Sequence, residues 1–320
     1  MLRLWDRFWF GPIDAGRAGV YRVLVLLIAV YALLVFLPGV RQHASNPNDL
    51  ALAQRVWRPV VLLELLNQGP PGATAVTCVG AVLALTAALA LAGLFTSVAC
   101  LITAVLATWW MAVSYSFGKP HHDCIALTFA LWALPFGNYG AKWSVDAVLR
   151  RGVSPNTVSA FPIRLAQVSI ALGYTFAGGT KLGQGGVGWI NGYSLQGTLM
   201  EFDAPWTEYL VHRLWLCQGL SIYTILLQVT FLLALWPRLG WVYALMGFSF
   251  HMGTWMTMDT GPYLTLSYLV LAAFLPWDSL PKALRCGHPA KKVLASVGFI
   301  LFAGWLAWIY ASTIPIPKWK

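Results

Sequence analysis

The sequence predicts an all-α fold, a polytopic integral membrane helical bundle with about nine transmembrane helices and an N-terminal interfacial helix. Hydrophobic residues make up 58% of the 320 residues and charged residues only 10%, and the mean hydropathy is +0.67. So few charges cannot cover the surface of a soluble globule of this size. Apolar stretches long enough to cross roughly 30 Å of hydrocarbon recur along the whole chain, and none stands apart as a soluble domain. We therefore expect residues 1–320 to form one membrane domain.

The first segment, residues 1–16, mixes basic and aromatic side chains ahead of the first apolar stretch. Arg3 and Arg7 alternate with Trp5 and Trp9, a composition that suits a helix lying in the membrane interface. The segment is not a signal peptide, because charges and tryptophans interrupt its apolar part and no small-residue cleavage site follows.

Nine apolar segments follow, and each is predicted to be a membrane-spanning helix. They are Val20–Leu37, Gly72–Leu94, Thr96–Tyr115, His122–Phe136, Phe161–Gly179, Leu214–Trp236, Trp241–Met256, Tyr263–Trp277 and Val293–Ser312. The fourth is short, so helix tilt or local thinning of the bilayer would have to accommodate it. Residues 181–213, between the fifth and sixth segments, are expected to form an external loop.

The distribution of basic residues predicts the orientation of the chain. Most of the 21 lysines and arginines fall on the side of the N-terminus, including Arg150, Arg151, Lys291 and Lys292. Basic loops stay in the cytoplasm, so we expect a cytoplasmic N-terminus and, with nine spans, a C-terminus on the outer side. The net charge of +10 then faces mainly the anionic cytoplasmic leaflet. Membrane lipid is therefore an expected partner and nucleic acid is not.

The five cysteines do not form a disulfide framework. Cys78 and Cys100 lie inside apolar segments, and Cys286 lies in a predicted cytoplasmic loop. Only Cys124 and Cys217 approach the outer face, where one disulfide is an alternative to two free thiols.

Three polar residues whose burial in a membrane costs free energy are predicted to lie at the outer face of the bundle. Lys181 follows the fifth segment, His122 opens the fourth, and His251 lies in the outer half of the seventh. Ionisable groups at membrane depth usually face a bundle interior or a wet cavity and mark a site. A lysine there can snorkel to water, pair with an acid or lose its proton, and in the last case it can act as a base.

Each position also has a purely structural interpretation. Lys181 can be a snorkelling lysine at a helix end. His122 can cap the fourth helix or anchor it at the headgroups, and the helix dipole alone favours Asp123 beside it. His251 can be a neutral imidazole that bonds to a neighbouring helix.

Aromatic residues could wall a flat pocket for a ring. Trp109, Trp110 and Phe129 are the residues considered for this role, and aromatic belt residues are the alternative. The glycine-rich segment 183–194 contains Trp189, and its composition is typical of a re-entrant interfacial loop.

Residue spacing excludes phosphate-loop and metal chemistry. Leu182 follows Lys181, so G-x-x-x-x-G-K-[ST] is absent. No H-E-x-x-H occurs, and the six histidines are too scattered for the histidine boxes of di-iron membrane enzymes. His121 and His122 are adjacent, so on a helix they point roughly 100° apart. We expect no metal site.

Several short motifs resemble the membrane domain of the vitamin K-dependent gamma-carboxylase family, the horizontally transferred transmembrane (HTTM) domain. They are Pro12-Ile13-Asp14 with Val20-Tyr21-Arg22, His122, Trp143-Ser144-Val145-Asp146, Ala177-Gly178 with Lys181-Leu182, Trp189 with Gly192-Tyr193-Ser194, and Phe250-His251-Met252. The resemblance spans nearly the whole chain, and its W-S-V-D and A-G-x-x-K-L…W-x-x-G-Y-S blocks are moderately specific.

The resemblance implies a chemistry. In that family the lysine that matches Lys181 acts as the base that deprotonates a reduced quinone, and the histidine that matches His122 lies at the same site. Oxygen then adds to give a stronger base, which removes a proton from a glutamate side chain before carbon dioxide adds. A reduced, vitamin K-like quinone is thus the implied cofactor, and a protein or peptide at the outer face is the implied substrate.

The chain departs from the animal enzymes in these motifs. Thr180 stands in place of a second lysine, and Asn191 replaces the acidic residue of W-x-E-G-Y-S. The 320 residues contain no counterpart of the large extra-membrane region with which the carboxylase holds its protein substrate. Two hypotheses follow: a quinol-dependent, carboxylase-like membrane enzyme, and a non-catalytic membrane subunit that binds a partner protein or lipid.

Overall fold

The computed structural model describes residues 2–45, 57–117, 124–150, 154–202, 204, 206–258 and 264–275. Within these ranges the chain is almost entirely helical, which confirms the predicted all-α class. The predicted ninth span and the predicted site residue His122 lie outside the described residues. The first compact unit is Met1–Leu275, and the site lies within it.

The N-terminal helix is present, and a small sheet that the sequence did not predict follows it. Helix α1 spans Leu2–Phe10. Strand β1 (Pro12–Asp14) pairs antiparallel with β2 (Thr157–Ser159), with Ile13 opposite Val158. Strands of three residues are too short to show an alternating pattern, so periodicity could not reveal them.

Further helices follow β1, and the long ones agree with the predicted spans to within a few residues at most of the ends that can be compared. They are α2 (Ala15–Ser45), α3 (Val61–Leu65), α4 (Ala73–Ala92), α5 (Thr96–Ser116), α6 (Ile125–Ala133), α7 (Val145–Leu149), α8 (Phe161–Gly185), α9 (Tyr193–Leu199), α10 (Thr207–Val211), α11 (Leu214–Thr230), α12 (Gly240–Met258) and α13 (Leu264–Phe274). Short 3₁₀ segments cover Leu134–Phe136, Gly186–Trp189 and Phe231–Leu235.

Several of these helices have the length and composition of membrane spans. Among the described residues four qualify: Ala15–Leu34, Ala73–Ala92, Thr96–Ser116 and Leu214–Leu235. A shorter apolar helix covers Ile125–Phe136, the predicted fourth span. It rises only about 18 Å, less than the roughly 30 Å of a hydrocarbon core. A helical membrane fold is therefore supported, and the number of nine spans stays a prediction.

Small side chains let the helices pack closely. At the contact of α8 with α11, a Cβ added to Gly178 would lie 2.9 Å from the Cβ of Gln228. Fully buried alanines are distributed over the helices, a pattern typical of membrane bundles. They include Ala104, Ala107, Ala130, Ala166, Ala171 and Ala244.

An aromatic cluster fills the space between α8, α12 and α13. The rings of Tyr174 and Phe231 stack with their centroids 4.0 Å apart, and Phe274 meets Phe231 edge to face. All three side chains are buried. Stacked and edge-on aromatic pairs add specific geometry to the burial of their area, so this cluster fixes α8 in the bundle.

The W-S-V-D motif forms the cap of another helix. One Asp146 carboxylate oxygen accepts the Phe95 N–H at 2.9 Å, and the other accepts the Thr96 N–H at 2.8 Å and the Thr96 hydroxyl at 2.7 Å. These donors lie at the N-terminus of α5, where backbone N–H groups have no partner within the helix. Ser144 caps α7 in the same way by accepting the Ala147 N–H at 3.0 Å.

Arg22 joins α2 to this cap. Its side chain is fully buried and donates to the backbone carbonyl oxygens of Trp143 and Leu91. A Cβ at Gly93, which has φ +71°, would clash with both Arg22 and Ser144. We call Arg22, Gly93, Thr96, Ser144 and Asp146 the cap junction. It ties the adjoining ends of α2, α4, α5 and α7 together.

The alternative of an outer disulfide is wrong. Cys124 and Cys217 are both buried and form no disulfide, as is the case for Cys100, while Cys78 is exposed and also forms none. The Cys217 thiol has a different partner, since it donates to the Leu210 carbonyl oxygen at 3.4 Å.

Candidate functional site

Lys181 lies on a helix and not at the start of a loop. Helix α8 continues through Gly185, past the predicted end of the span at Gly179, and ends where Gly186 adopts φ +51°. A glycine with positive φ is the usual terminator of a helix, whereas Gly183 keeps the helical backbone. The expected external loop 181–213 thus begins later and contains the short helices α9 and α10.

The Lys181 amine lies over an indole ring. Its Nζ is 5.5 Å from the centroid of the Trp189 ring. Gly185 makes this arrangement possible, because a Cβ there would lie 2.2 Å from the Trp189 side chain. Lys181 is partly buried, and this desolvation lowers the pKa of its amine. The contact with the ring face works in the opposite direction, because it favours the charged form.

The loop after Trp189 is built to rest on α11. The Gly188 carbonyl accepts the Ser194 hydroxyl at 3.0 Å, and Asn191 Oδ1 accepts the Tyr193 N–H at 3.0 Å. Gly192 has φ +85°, and a Cβ there would lie 2.6 Å from the Gln218 backbone nitrogen. The W-x-x-G-Y-S motif therefore holds Trp189 in place through close backbone contact that only glycine permits.

A shallow pocket opens beside Trp189. It has a volume of about 400 Å³ and is lined by Val187, Gly188, Ile190, Asn191 and Gln218. That volume falls within the range of small-molecule sites, roughly 300–1,000 Å³. Its walls combine apolar side chains with two carboxamides. Sequence reasoning did not select Gln218, whose only signal is a polar side chain near the start of an apolar segment.

His251 lies deeper in the bundle than Lys181. It is buried on α12, and its Nε2 is hydrogen-bonded to the Tyr174 hydroxyl at 2.6 Å. Tyr174 precedes Lys181 by two turns of α8, about 10 Å along the helix axis. The hydrogen bond to a neighbouring helix, expected as the structural role of His251, is therefore present. Its partner is Tyr174, which the sequence did not reveal. A cavity shared with Lys181 and His122 stays a prediction.

The three aromatic residues expected to wall a ring pocket lie on α5 and α6. Trp109 Nε1 donates to Gln68 Oε1 at 3.0 Å, Trp110 is buried against Gly80, and Phe129 is 47% exposed. The described pocket beside Trp189 is lined by other residues. Their role at a ring site stays a prediction.

Among the described residues, no group of three or more His, Cys, Asp or Glu side chains could hold a metal ion.

The fold and the site define the class of protein: a helical integral membrane protein with a lysine on one end of a central helix. The sequence model of the HTTM domain family matches residues 10–277, so the chain belongs to the HTTM domain family. No curated protein and no solved structure matches the chain. The match confirms the resemblance to the HTTM domain, and it covers the whole segment that the motifs span.

Proposed function

We propose that this HTTM-family protein is an integral membrane enzyme in which Lys181 acts as a base toward a reduced quinone, in carboxylase-like chemistry. The observation that carries the proposal is the partly buried Lys181 amine over the ring of Trp189, whose two neighbours in the chain, Gly188 and Ile190, line an open pocket. We also propose nine spans with a cytoplasmic N-terminus. That orientation puts Lys181 and the C-terminus on the outer side.

The residues around the pocket fit a flat, mostly apolar ring. Val187 and Ile190 supply apolar walls, while the carboxamides of Asn191 and Gln218 can bond to ring oxygens. A reduced quinone would supply the reducing electrons and a weakly acidic hydroxyl. Lys181 would accept the hydroxyl proton at Nζ, which requires a neutral amine, and burial favours that form.

Two substitutions distinguish a role of Lys181 as a proton acceptor from a role of its positive charge. Lys181→Ala removes the amine, and Lys181→Arg keeps a positive charge over Trp189 but cannot accept a proton at neutral pH. We expect both variants to lose quinol-dependent carbon dioxide fixation into added peptides or membrane extracts by about 10²–10⁴-fold. Melting temperatures should change little, because a lysine near a helix end carries little of the fold.

The activities of these variants show whether Lys181 acts as a base, acts only through its positive charge, or has no role in the reaction. Full activity in Lys181→Arg would show that charge suffices and would remove Lys181 as a base. Full activity in Lys181→Ala would remove the residue from the mechanism. Absence of quinol binding by well-folded wild-type protein would reject the quinone itself.

A non-catalytic membrane subunit is the second function that specific observations favour. His251 and Asp146 have partners that explain them as helix ties and caps, and the pocket is shallow. In this case the outer loop would bind a partner protein or a lipid. Two results together would support the subunit function. The folded protein would bind no quinol, and it would be recovered with a stoichiometric protein partner that is lost in Trp189→Ala.

A further inference from the structure

The starts of helices α2 and α8 are connected through the pairing of β1 with β2, and each start carries one arginine. Arg17 lies in the first turn of α2, and Arg164 lies in the first turn of α8. The Arg17 charge acts on the Arg164 guanidinium, and both act on the Tyr139 hydroxyl. Two nearby like charges repel each other, so an anion bound between them would be stabilised.

The described residues do not provide an acidic partner for this pair. Asp14, at the end of β1, uses Oδ1 to accept the backbone N–H groups of Gly16 and Arg17. Arg164 Nη1 donates to the neutral Gln167 at 2.8 Å. No ion pair reaches either guanidinium within the described part of the chain.

Two buried donors at the same corner also lack an acceptor. Arg17 Nε and the indole Nε1 of Trp9 are buried and have no hydrogen-bond partner among the described residues. Trp9 belongs to α1 and packs against Phe161, at the start of α8, with ring centroids 6.3 Å apart. Buried donors in folded proteins almost always have an acceptor, so an acceptor from outside the described part of the chain is expected here.

Helix α1 presents the surface of a membrane-bound helix around this corner. Leu4, Trp5 and Phe10 are exposed on it, and Arg3 and Arg7 are exposed as well. Arginines beside exposed tryptophan, phenylalanine and leucine are typical of helices that lie at the headgroup level.

From these observations we propose that Arg17, Arg164 and Trp9 form a binding site for the phosphate of an anionic phospholipid. A phosphate offers several acceptor oxygens to the two guanidinium groups and the indole N–H, and its charge relieves their repulsion. The exposed apolar residues of α1 would contact the acyl chains of the same lipid. The site is independent of the proposed chemistry at Lys181.

Native mass spectrometry of the full chain, supplied with equal amounts of phosphatidylglycerol and phosphatidylcholine, tests this site. We expect selective retention of phosphatidylglycerol by the wild type. Arg17→Gln and Arg164→Gln should each lower that retention about tenfold, because each removes a charge-assisted hydrogen bond to the bound phosphate. Arg238→Gln removes an exposed arginine from the same predicted side, and we expect it to change nothing.

Three results would overturn the proposal. The first is equal retention of the two lipids by the wild type, and the second is unchanged retention in both glutamine variants. The third is displacement of phosphatidylglycerol by millimolar inorganic phosphate, which would assign the site to a soluble anion. If a glutamine variant fails to fold, Arg164→Lys replaces it, because lysine keeps the charge but loses the forked donors. A reduced preference in Arg164→Lys supports the site, and an unchanged preference counts against it.

Discussion

At the scale of single residues, the polar side chains of the bundle divide by the partners they have. Asp146 accepts three hydrogen bonds at a helix end, and His251 is bonded to Tyr174 inside the bundle. Lys181 instead lies over the ring of Trp189, whose neighbours in the chain line an open pocket. A side chain with a complete set of partners is explained by the fold, so chemistry is expected at Lys181 in preference to the other two.

Asp146 should stabilise the protein in a pH-dependent way. Partial burial raises the pKa of its carboxyl, but hydrogen bonds from Thr96 and Phe95 and the charge of Arg150 outweigh this, so the pKa lies below its ordinary value. The contribution is therefore present above the ordinary pKa of about 3.9 and is lost as the pH falls through the lowered one. Asp146→Ala should cost about 1 kcal/mol at pH 7.

Thermal unfolding in detergent between pH 7 and pH 3 measures this effect. Asp146→Asn keeps one acceptor for the helix end but cannot titrate, so its deficit should shrink as the pH falls. Asp6→Asn, at an exposed position of α1, is the control and should behave as the wild type does. A deficit in Asp146→Asn that stays constant across the pH range would contradict the assignment.

The bond between Tyr174 and His251 should matter for stability. Tyr174→Phe keeps the ring that stacks on Phe231 but removes the hydroxyl, so a buried imidazole nitrogen loses its hydrogen bond at a cost of about 1–3 kcal/mol. The exposed Tyr193→Phe serves as the comparison and should leave the melting temperature unchanged. Equal melting temperatures for both variants would show that this tie is dispensable.

At the scale of elements, hydropathy predicted the long helices well and the short or irregular elements poorly. The segments predicted at Gly72–Leu94 and Thr96–Tyr115 are helices with nearly the expected ends, because their apolar length alone determines them. The end of α8 was placed too early, since its glycines were interpreted as a loop. Glycine permits a loop but does not require one, and surrounding contacts decide.

The motifs were recognisable in the sequence, but their roles were not. W-S-V-D gave no indication of which helix end it would cap, because Asp146 and Thr96 are far apart in the chain. Gln218 meets the loop after Trp189 through the close contact of Gly192 with the Gln218 backbone. Contacts of this kind depend on tertiary packing, so a single sequence reveals candidate residues and not their neighbours.

Adjacent glycines on α8 allow a matched test of helix packing. A Cβ at Gly178 would lie 2.9 Å from both Gln228 Cβ and the Val229 backbone nitrogen, whereas Gly179 has open space around it. Gly178→Ala should therefore destabilise the protein by about 1–3 kcal/mol through overpacking. Gly179→Ala should be neutral or stabilising by up to about 1 kcal/mol, because alanine favours helix more than glycine does. Melting temperatures that fall equally in both variants would show that the close contact is absent.

At the scale of the whole molecule, helix α8 connects two different polar regions. Arg164 lies near its start and Lys181 near its end, about 25 Å apart along the axis. That separation approaches the thickness of a hydrocarbon core. The arginine pair and α1 gather at the first end, while Trp189 and the pocket gather at the second. Under the two proposals above, one end of α8 would bind anionic lipid and the other would bind a small ring.

The difference between the two ends of α8 predicts a membrane topology that cysteine labelling can test. In a cysteine-free background, Gln184→Cys should react with a membrane-impermeant maleimide in intact cells, because basic residues hold the other end of α8 in the cytoplasm. Arg150→Cys, next to the cap junction, should react only after permeabilisation. Both positions are exposed, so access to reagent depends on the side of the membrane. The reverse labelling pattern would show that the topology is inverted and that Lys181 lies on the cytoplasmic side. Labelling of both cysteines in intact cells would mean that α8 does not span the bilayer.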